Sequence, residues 1–399
     1  MPNYLAPGVY VEEVRDQPKT IEGVPTSTCA FVGPTSKGPV GLASQLLTSF
    51  ADYEHSYGGA EDPAFAADTA ALHCRNYIAH AVRAFFNNGG KRLHVVRVGT
   101  GKAVPAASEY AAGFAALEGL ADVSIVAAPG YSALADLGDG SLYRAIQAAL
   151  LTHVAAPCLY RMAVLDAPPG ATPTGMRELR SQIDSTRAAL YYPWVITANP
   201  LAGAGSTQPA EIALPPSGFV CGIYARSDAE RGVHKAPANE VVIGALRFEP
   251  AGSTTEQEQL ELIGVNCLRA FSGRGLRVWG ARTTSSDPEW KYLSVRRYFN
   301  YLEASIDRGT QWAVFEPNDD KLWASMRQAV SDFLYNEWRK GAMPGNKPEE
   351  AYFVRCDRST MTQNDLDNGR LICLIGIATV KPAEFVIIRI SQFTADAKH

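Results

Sequence analysis

Between Cys29 and Ile196 the chain repeats one pattern: a short run that is almost wholly apolar, then a stretch with helical spacing. The runs are "CAFV" (Cys29–Val32), "RLHVVRVG" (Arg92–Gly99), "VSIVAAPG" (Val123–Gly130), "YRMAVLDAPPG" (Tyr160–Gly170) and "AALYYPWVI" (Ala188–Ile196). A strand that is apolar on both faces must be covered above and below. Helices between successive strands supply that cover, so the pattern demands a mostly parallel sheet in an α/β layer. The intervening helices are expected at about Ala64–Asn88, stopped by Gly89-Gly90, then Ser108–Leu120, Ser141–Val154 and Thr174–Ser185.

From Thr197 to Val241 the pattern lapses. "ANPLAGAGSTQPAEIALPPSG" is rich in Pro, Gly and Ala and reads as loop, and "IYARSDAERGVHKAPANEV" reads as polar and irregular, with Arg226, Asp228, Glu230 and Arg231 available to fix it through charge-assisted bonds. A domain transition is expected near Pro250–Thr255. The last third reads as α+β. "GLRVWGAR" is a strand, and Ser286 and Asp287 can cap a helix from Pro288 to about Arg308, with Val295, Phe299, Leu302 and Ile306 on one face. "QWAVFEP" is a strand. Asn318 is the expected cap of a helix over Asp319–Lys340, stopped by Gly341, and "EAYFVRCD", "GRLICLIGIATV" and "AEFVIIRISQF" are three closing strands.

Both ends of the chain carry strand sequence. Val9, Tyr10, Val11 and Val14 follow Pro7-Gly8, and Phe385, Val386, Ile387, Ile388 and Ile390 lie close to the C-terminus. Chain ends are ordinarily polar unless something ties them down. An extended arm with open edges is a hazard in a monomer and a joint in a polymer. At ~1 kcal/mol net per backbone hydrogen bond, about six such bonds would contribute several kcal/mol per arm.

Searches for chemistry return little. The formal charge of −4 gives no basic footprint for nucleic acid. No phosphate-binding glycine motif or HExxH is present, and no run reaches the ~18 apolar residues of a membrane span. The start lacks the basic and apolar segments of a secretion signal, so synthesis and folding in a cytoplasm are expected. The seven cysteines (29, 74, 158, 221, 267, 356, 373) are odd in number and widely spaced, and read as buried free thiols. His73 and His80 share a helical face but make only half a zinc site. "STMTQNDLDNGR" lacks the order of an EF-hand; Asn364, Asp365, Asp367 and Asn368 read as turn residues, with a reversal at Asn368-Gly369. No cofactor, metal or catalytic constellation is assigned. The rival is an α/β hydrolase using Cys221 and His234, although "F-V-C-G-I" does not match a nucleophile elbow.

Several long segments resemble the tail sheath proteins of contractile phage tails and related injection machines. They are "YLAPGVYVEEV", "TSTCAFVGPTSKGP", "NNGGKRLHVVRV", "PPSGFVCGIYARSDAERGVHKAPANE", the block from "CLRAFSGRGLRVWGAR" to "QWAVFEPND", and "RCDRSTMTQNDLDNGRLICLIGIATVKPAEFVIIRISQFTAD". The resemblance implies a non-enzymatic subunit that stacks as hexameric discs around an inner tube. It implies an N-terminal linker arm (1–22), an outer α/β domain (23–254), an inner α+β domain (255–382) and a C-terminal strand arm (383–399), with arms pairing onto neighbouring subunits. The implied partners are other copies of the chain, the inner tube protein, and baseplate and terminator components, without nucleic acid or membrane insertion. The implied location is the bacterial or phage-host cytoplasm during assembly, then the particle. On a helical wheel for 319–340, Lys321, Gln328, Tyr335 and Arg339 form one stripe with Arg327 at its border, opposite an apolar face of Leu322, Met326, Ala329, Val330, Phe333 and Trp338. The resemblance implies that the inner domain touches the tube, and the wheel makes these five the tube-facing candidates.

Overall fold

The computed structural model describes residues 19–43, 45–62, 73, 75–101, 103–203 and 205–384. They fall into two compact units, residues 23–304 with 379–384 and residues 19–22 with 305–378.

The larger unit holds strands β1 (Cys29–Gly33), β2 (Leu93–Arg97), β3 (Ile125–Ala127), β4 (Met162–Asp166), β5 (Ala188–Tyr192), β6 (Val195–Ala198), β7 (Glu211–Leu214), β8 (Glu240–Val241), β9 (Ala245–Phe248), β10 (Val265–Phe271) and β11 (Gly275–Val278). Its main sheet has the order β2-β1-β3-β4-β5-β10-β11-β8. The strands from β2 to β10 run parallel, and β11 and β8 are added antiparallel. The helices are α1 (Phe50–Tyr57), α2 (Tyr77–Asn87), α3 (Ala107–Ala115), α4 (Ser141–Ala155), α5 (Pro173–Ser181), α6 (Ser217–Arg231), α7 (Thr254–Leu262) and α8 (Leu293–Gly309). Side chains alternate across the sheet. Cys29, Phe31 and Val95 join Ile78, Phe85 and Tyr224 of α2 and α6 in one core. Ala30, Val32 and Val96 join Tyr110, Phe114 and Leu150 of α3 and α4 in the other. Two cores on one sheet account for strands that are apolar on both faces.

Four expectations are corrected in this unit. "AALYYPWVI" is two strands: β5 stays in the main sheet, and β6 passes into a second sheet of order β7-β6-β9. Pro193 lies between them, and proline has no N–H to donate to a central ladder. The supposed loop from 197 to 241 contains β7 and the long helix α6. Its periodicity is hidden because every residue from Ser217 to Ala225 is buried. Gly218 and Gly222 let α6 press against α2: a Cβ at Gly218 would lie 2.6 Å from Ala81 Cα, and one at Gly222 would lie 2.5 Å from the Phe85 carbonyl oxygen. Helix α2 starts at Tyr77, where the Asn76 side chain accepts from the Ala79 amide, and not at Ala64; residues 63–72 are outside the described set. Finally, the sheet runs through the expected transition at 254/255, because β10 pairs with β5. The units change over at 304/305, within α8.

The smaller unit contains α9 (Asp320–Arg339) and two antiparallel strands, β12 (Tyr352–Arg355) and β13 (Leu374–Ile377). "QWAVFEP" is not a strand. Gln311–Ala313 forms a 3₁₀ turn, because Thr310 Oγ1 donates to Ile306 O (2.8 Å) and Gln311 Nε2 to Asp307 O (3.0 Å), prolonging the helical path. Asp319, not Asn318, caps α9 by accepting from the amides of Lys321 and Leu322. Asn318 instead accepts from Trp323 Nε1 (2.7 Å) and donates to Arg370 O (3.1 Å). The Asp/Asn-rich segment winds into a short helix, Gln363–Asp367, under a Thr362–Asp365 capping box, and Gly369 (φ 68°) takes the left-handed position beyond it.

Candidate functional site

Parallel sheets bind ligands where the strand order reverses, beyond the carboxyl ends of the strands. Here that point lies between β1 and β3. The crevice there, lined by Pro34, Tyr77, Pro105, Tyr110, Pro129 and Leu134 among others, encloses about 20 Å³, room for about one water. Tyr77 packs edge-on against Trp194 (centroids 5.5 Å apart), and large side chains take the space a ligand would need.

The hydrolase reading fails on physical grounds. Cys221 is fully buried in α6. Desolvation pushes its thiol well above the ordinary range, and contact with Cys29 adds to the rise. An activated nucleophile needs the opposite shift. His234 lies beside Gly232 and edge-on to Tyr298 (centroids 6.3 Å apart). His80 is buried in α2, where desolvation, with Arg75 and Arg83 nearby, lowers it to about 4. His73 pairs with Asp136 (2.8 Å), so the two histidines serve different surroundings. Among the described residues no group of three or more His, Cys, Asp or Glu could hold a metal ion, and no helix is long and apolar enough to cross a membrane. Of the described cysteines Cys158 is exposed and Cys373 half-buried, against the expectation of uniformly buried thiols.

What the fold does present is an open ribbon. Strands β12 and β13 pair with each other, and among the described residues neither has a second neighbour in its sheet. Phe353 and Leu374 project from it exposed. A two-stranded ribbon alone is marginally stable in water, and its outer edges carry unpaired donors and acceptors. The expected arm residues Val9, Tyr10, Val11, Val14, Phe385, Val386, Ile387, Ile388 and Ile390 lie outside the described residues.

The described residues next to both expected arm segments are tied down. In the smaller unit Ile21 is buried, and Lys19 sits 3.8 Å from the Trp312 ring centroid. In the larger unit Arg282 donates to both oxygens of Glu384 (2.7 Å each), with Lys291 and Tyr292 donating at 3.3 Å. Burial alone would raise the Glu384 carboxyl, yet the two cations hold it below the usual range. Sequence reasoning missed this clamp, since nothing in the spacing of Arg282 and Glu384 links them.

On α9 the sequence-derived faces are close to those observed. Leu322, Met326, Ala329, Val330 and Phe333 are buried, together with Trp323, Leu334 and Glu337. Trp338 is half-buried and donates to Gly345 O (3.0 Å). Lys321, Arg327, Gln328, Tyr335 and Arg339 are all exposed. Arg327 reaches back to Cys356 O (3.0 Å). Asp332 was overlooked: at ~100° per residue it falls at the edge of the same stripe, beside Lys321 and Arg339, and it accepts from Gln328 (2.7 Å).

Comparison with known proteins accounts for this architecture. Residues 103–284 match the phage tail sheath protein central domain, and residues 285–393 match the phage tail sheath C-terminal domain. The chain belongs to the tail sheath family. Its fold superimposes on the contracted helical sheath of the anti-feeding prophage with a TM-score of 0.77 at 31% identity, covering 98% of this chain and 100% of that one. For the contracted sheath complex of PVC, an extracellular contractile injection system, the TM-score is 0.75 at 30% identity, over 100% and 99% of the two chains. The tail sheath protein of Vibrio phage KVP40 is 23% identical over 188 residues, 46% of this chain and 27% of its own. The chain spans between 26% and 56% of the length of the curated relatives it matches. A structural role in a contractile sheath follows from membership of this family.

Proposed function

We propose that the chain polymerises as stacked hexameric discs around an inner tube, and that collapse of this lattice to a wider, shorter form drives the tube through a target envelope. The observation that carries the reading is the open β12–β13 ribbon, in a chain whose two ends both carry strand sequence. Arms from neighbouring copies would add to the ribbon edges by strand addition, satisfying backbone groups that water otherwise must. The Arg282–Glu384 clamp would hold the start of a C-terminal arm, so that such an arm could link neighbouring subunits. Two packings of nearly rigid bodies joined by such links are what a contracting lattice requires. The exposed α9 stripe of Lys321, Gln328, Tyr335 and Arg339, with Arg327 beside it, is assigned to the tube. Baseplate and terminator components would cap the two ends, and assembly would take place in the host cytoplasm.

Negative-stain microscopy of the purified chain tests this. Full-length protein should form long hollow cylinders or large rings. Chains lacking residues 1–14, or everything after Pro382, should keep a near-native circular dichroism spectrum and fail to polymerise. Normal tubes from either truncation would refute strand exchange.

A further inference from the structure

Cys356 follows β12 directly and Cys373 precedes β13 directly. The ladder sets Tyr352 opposite Ile377 and Arg355 opposite Leu374, so one further step sets Cys356 opposite Cys373. At the other end Ala378 N–H donates to Ala351 O, marking that pair as hydrogen-bonded. Hydrogen-bonded and non-bonded pairs alternate along an antiparallel ladder. Counting from Ala351, the cysteines occupy a non-hydrogen-bonded position, where opposed Cα atoms lie about 4.5 Å apart. That is within the roughly 4.4–6.8 Å a disulfide spans. Each thiol lies close enough to shift the other's titration. Cys356 is fully buried, while Cys373 is partly exposed and gives a reagent access. Cys29 and Cys221 also meet, but both are fully buried in the core, where no reagent reaches them.

We propose that Cys356 and Cys373 form a dithiol site that a low-molecular-weight disulfide such as oxidised glutathione converts to a cross-strand disulfide, clipping the β12–β13 ribbon at one end. The accessible Cys373 thiolate attacks the glutathione disulfide, forming a mixed disulfide and expelling one glutathione thiolate. The Cys356 thiolate then attacks the Cys373 sulfur and expels the second. Two protein thiols become one disulfide, one glutathione disulfide becomes two glutathione thiols, and each released proton ends on a leaving thiolate. Burial pushes the Cys373 thiol up to about 12 and raises Cys356 as well, so exchange is slow at neutral pH. This chemistry stands apart from the assembly reading; the consequence that a clipped ribbon holds neighbouring arms in register rests on it.

The test treats purified full-length chain with oxidised glutathione, alkylates free thiols and digests with trypsin without reduction. The expected product joins the peptide Cys356–Arg358 to Leu371–Arg389 with loss of two hydrogens, about 2 Da, and separates on reduction. Exposed Cys158 serves as the internal control, stopping at its mixed disulfide. In Cys356→Ser, Cys373 should stop at the same stage. The proposal is overturned if, after prolonged treatment at raised pH and alkylation of the unfolded chain, Cys356 and Cys373 are both still alkylated or both persist as mixed disulfides. Tube formation is scored separately, so its failure bears on the assembly reading and not on this site.

Discussion

Replacing Asp228 with Asn removes one charge and almost no volume, yet it should be among the most damaging changes in the larger unit. The Asp228 and Arg297 side chains are each 3% exposed. Arg297 of α8 donates to Asp228 Oδ1 at 2.9 Å and Oδ2 at 2.6 Å, and to Thr26 O at 3.0 Å. Thr26 Oγ1 donates to Oδ2 at 2.7 Å, and the Tyr224 ring centroid lies 4.7 Å from the guanidinium carbon. With Asn at 228 the guanidinium keeps its ring contact and loses its counter-charge. Leaving one partner of a buried pair unmatched costs about 3–5 kcal/mol, and the direct attraction at ~4 Å with an effective dielectric of about 20 is about 4 kcal/mol, the same size. The assay is urea denaturation followed by tryptophan fluorescence. Amide exchange in α6 and α8 is read alongside, because two compact units need not unfold together. The double variant Asp228→Asn/Arg297→Met leaves no buried charge and should recover most of the loss, giving a strongly non-additive cycle. A single Asp228→Asn variant costing under about 1 kcal/mol, or a double variant as costly as the two singles summed, would refute the reasoning.

Three further outcomes are expected. Burial raises Asp166 to about 7, against the pull of the Ser217 amide and hydroxyl that donate to it at 2.7 and 2.6 Å; a folded value above the unfolded 3.8 means this group's contribution is full below that value and lost as pH rises through about 7. Asp166→Asn should therefore flatten melting temperature against pH between those limits, where up to roughly 4 kcal/mol is at stake, and a variant markedly less stable than wild type at pH 8 would show that the ionised carboxylate is the stabilising form. Gly222→Ala should gain about 1 kcal/mol if helix propensity decides and lose about 1–3 if the contact with α2 decides; the 2.5 Å approach to Phe85 O predicts the loss, read as a lower melting temperature. Lys321→Glu with Arg339→Glu should leave self-assembly intact and abolish polymerisation around tube templates at low salt, since an exposed electrostatic grip is weak and screened; tube-filled sheaths from that variant would sink the assignment.

The sequence determined the layer type and the α9 surface. Runs apolar on both faces force a covered parallel sheet, and α9 is a period-3.6 helix whose main apolar positions, Leu322 to Phe333, are buried as the wheel requires. Both signals are local, so they survive in one dimension. The family was legible as well, in long segments whose residues serve one architecture. Tertiary structure alone decided the rest. Helix α6 is buried around most of its surface, which erases the amphipathic signal, and its two glycines argue against a helix until α2 is seen at their contact. The strand β10 pairs with β5 from beyond the expected boundary, because ladder partners are set by neighbours in space. Asp228 meets Arg297, Glu384 meets Arg282, and the β12–β13 register brings Cys356 toward Cys373 for the same reason. A charge or thiol finds its partner through the packing of distant elements, and spacing along the chain carries no record of that distance.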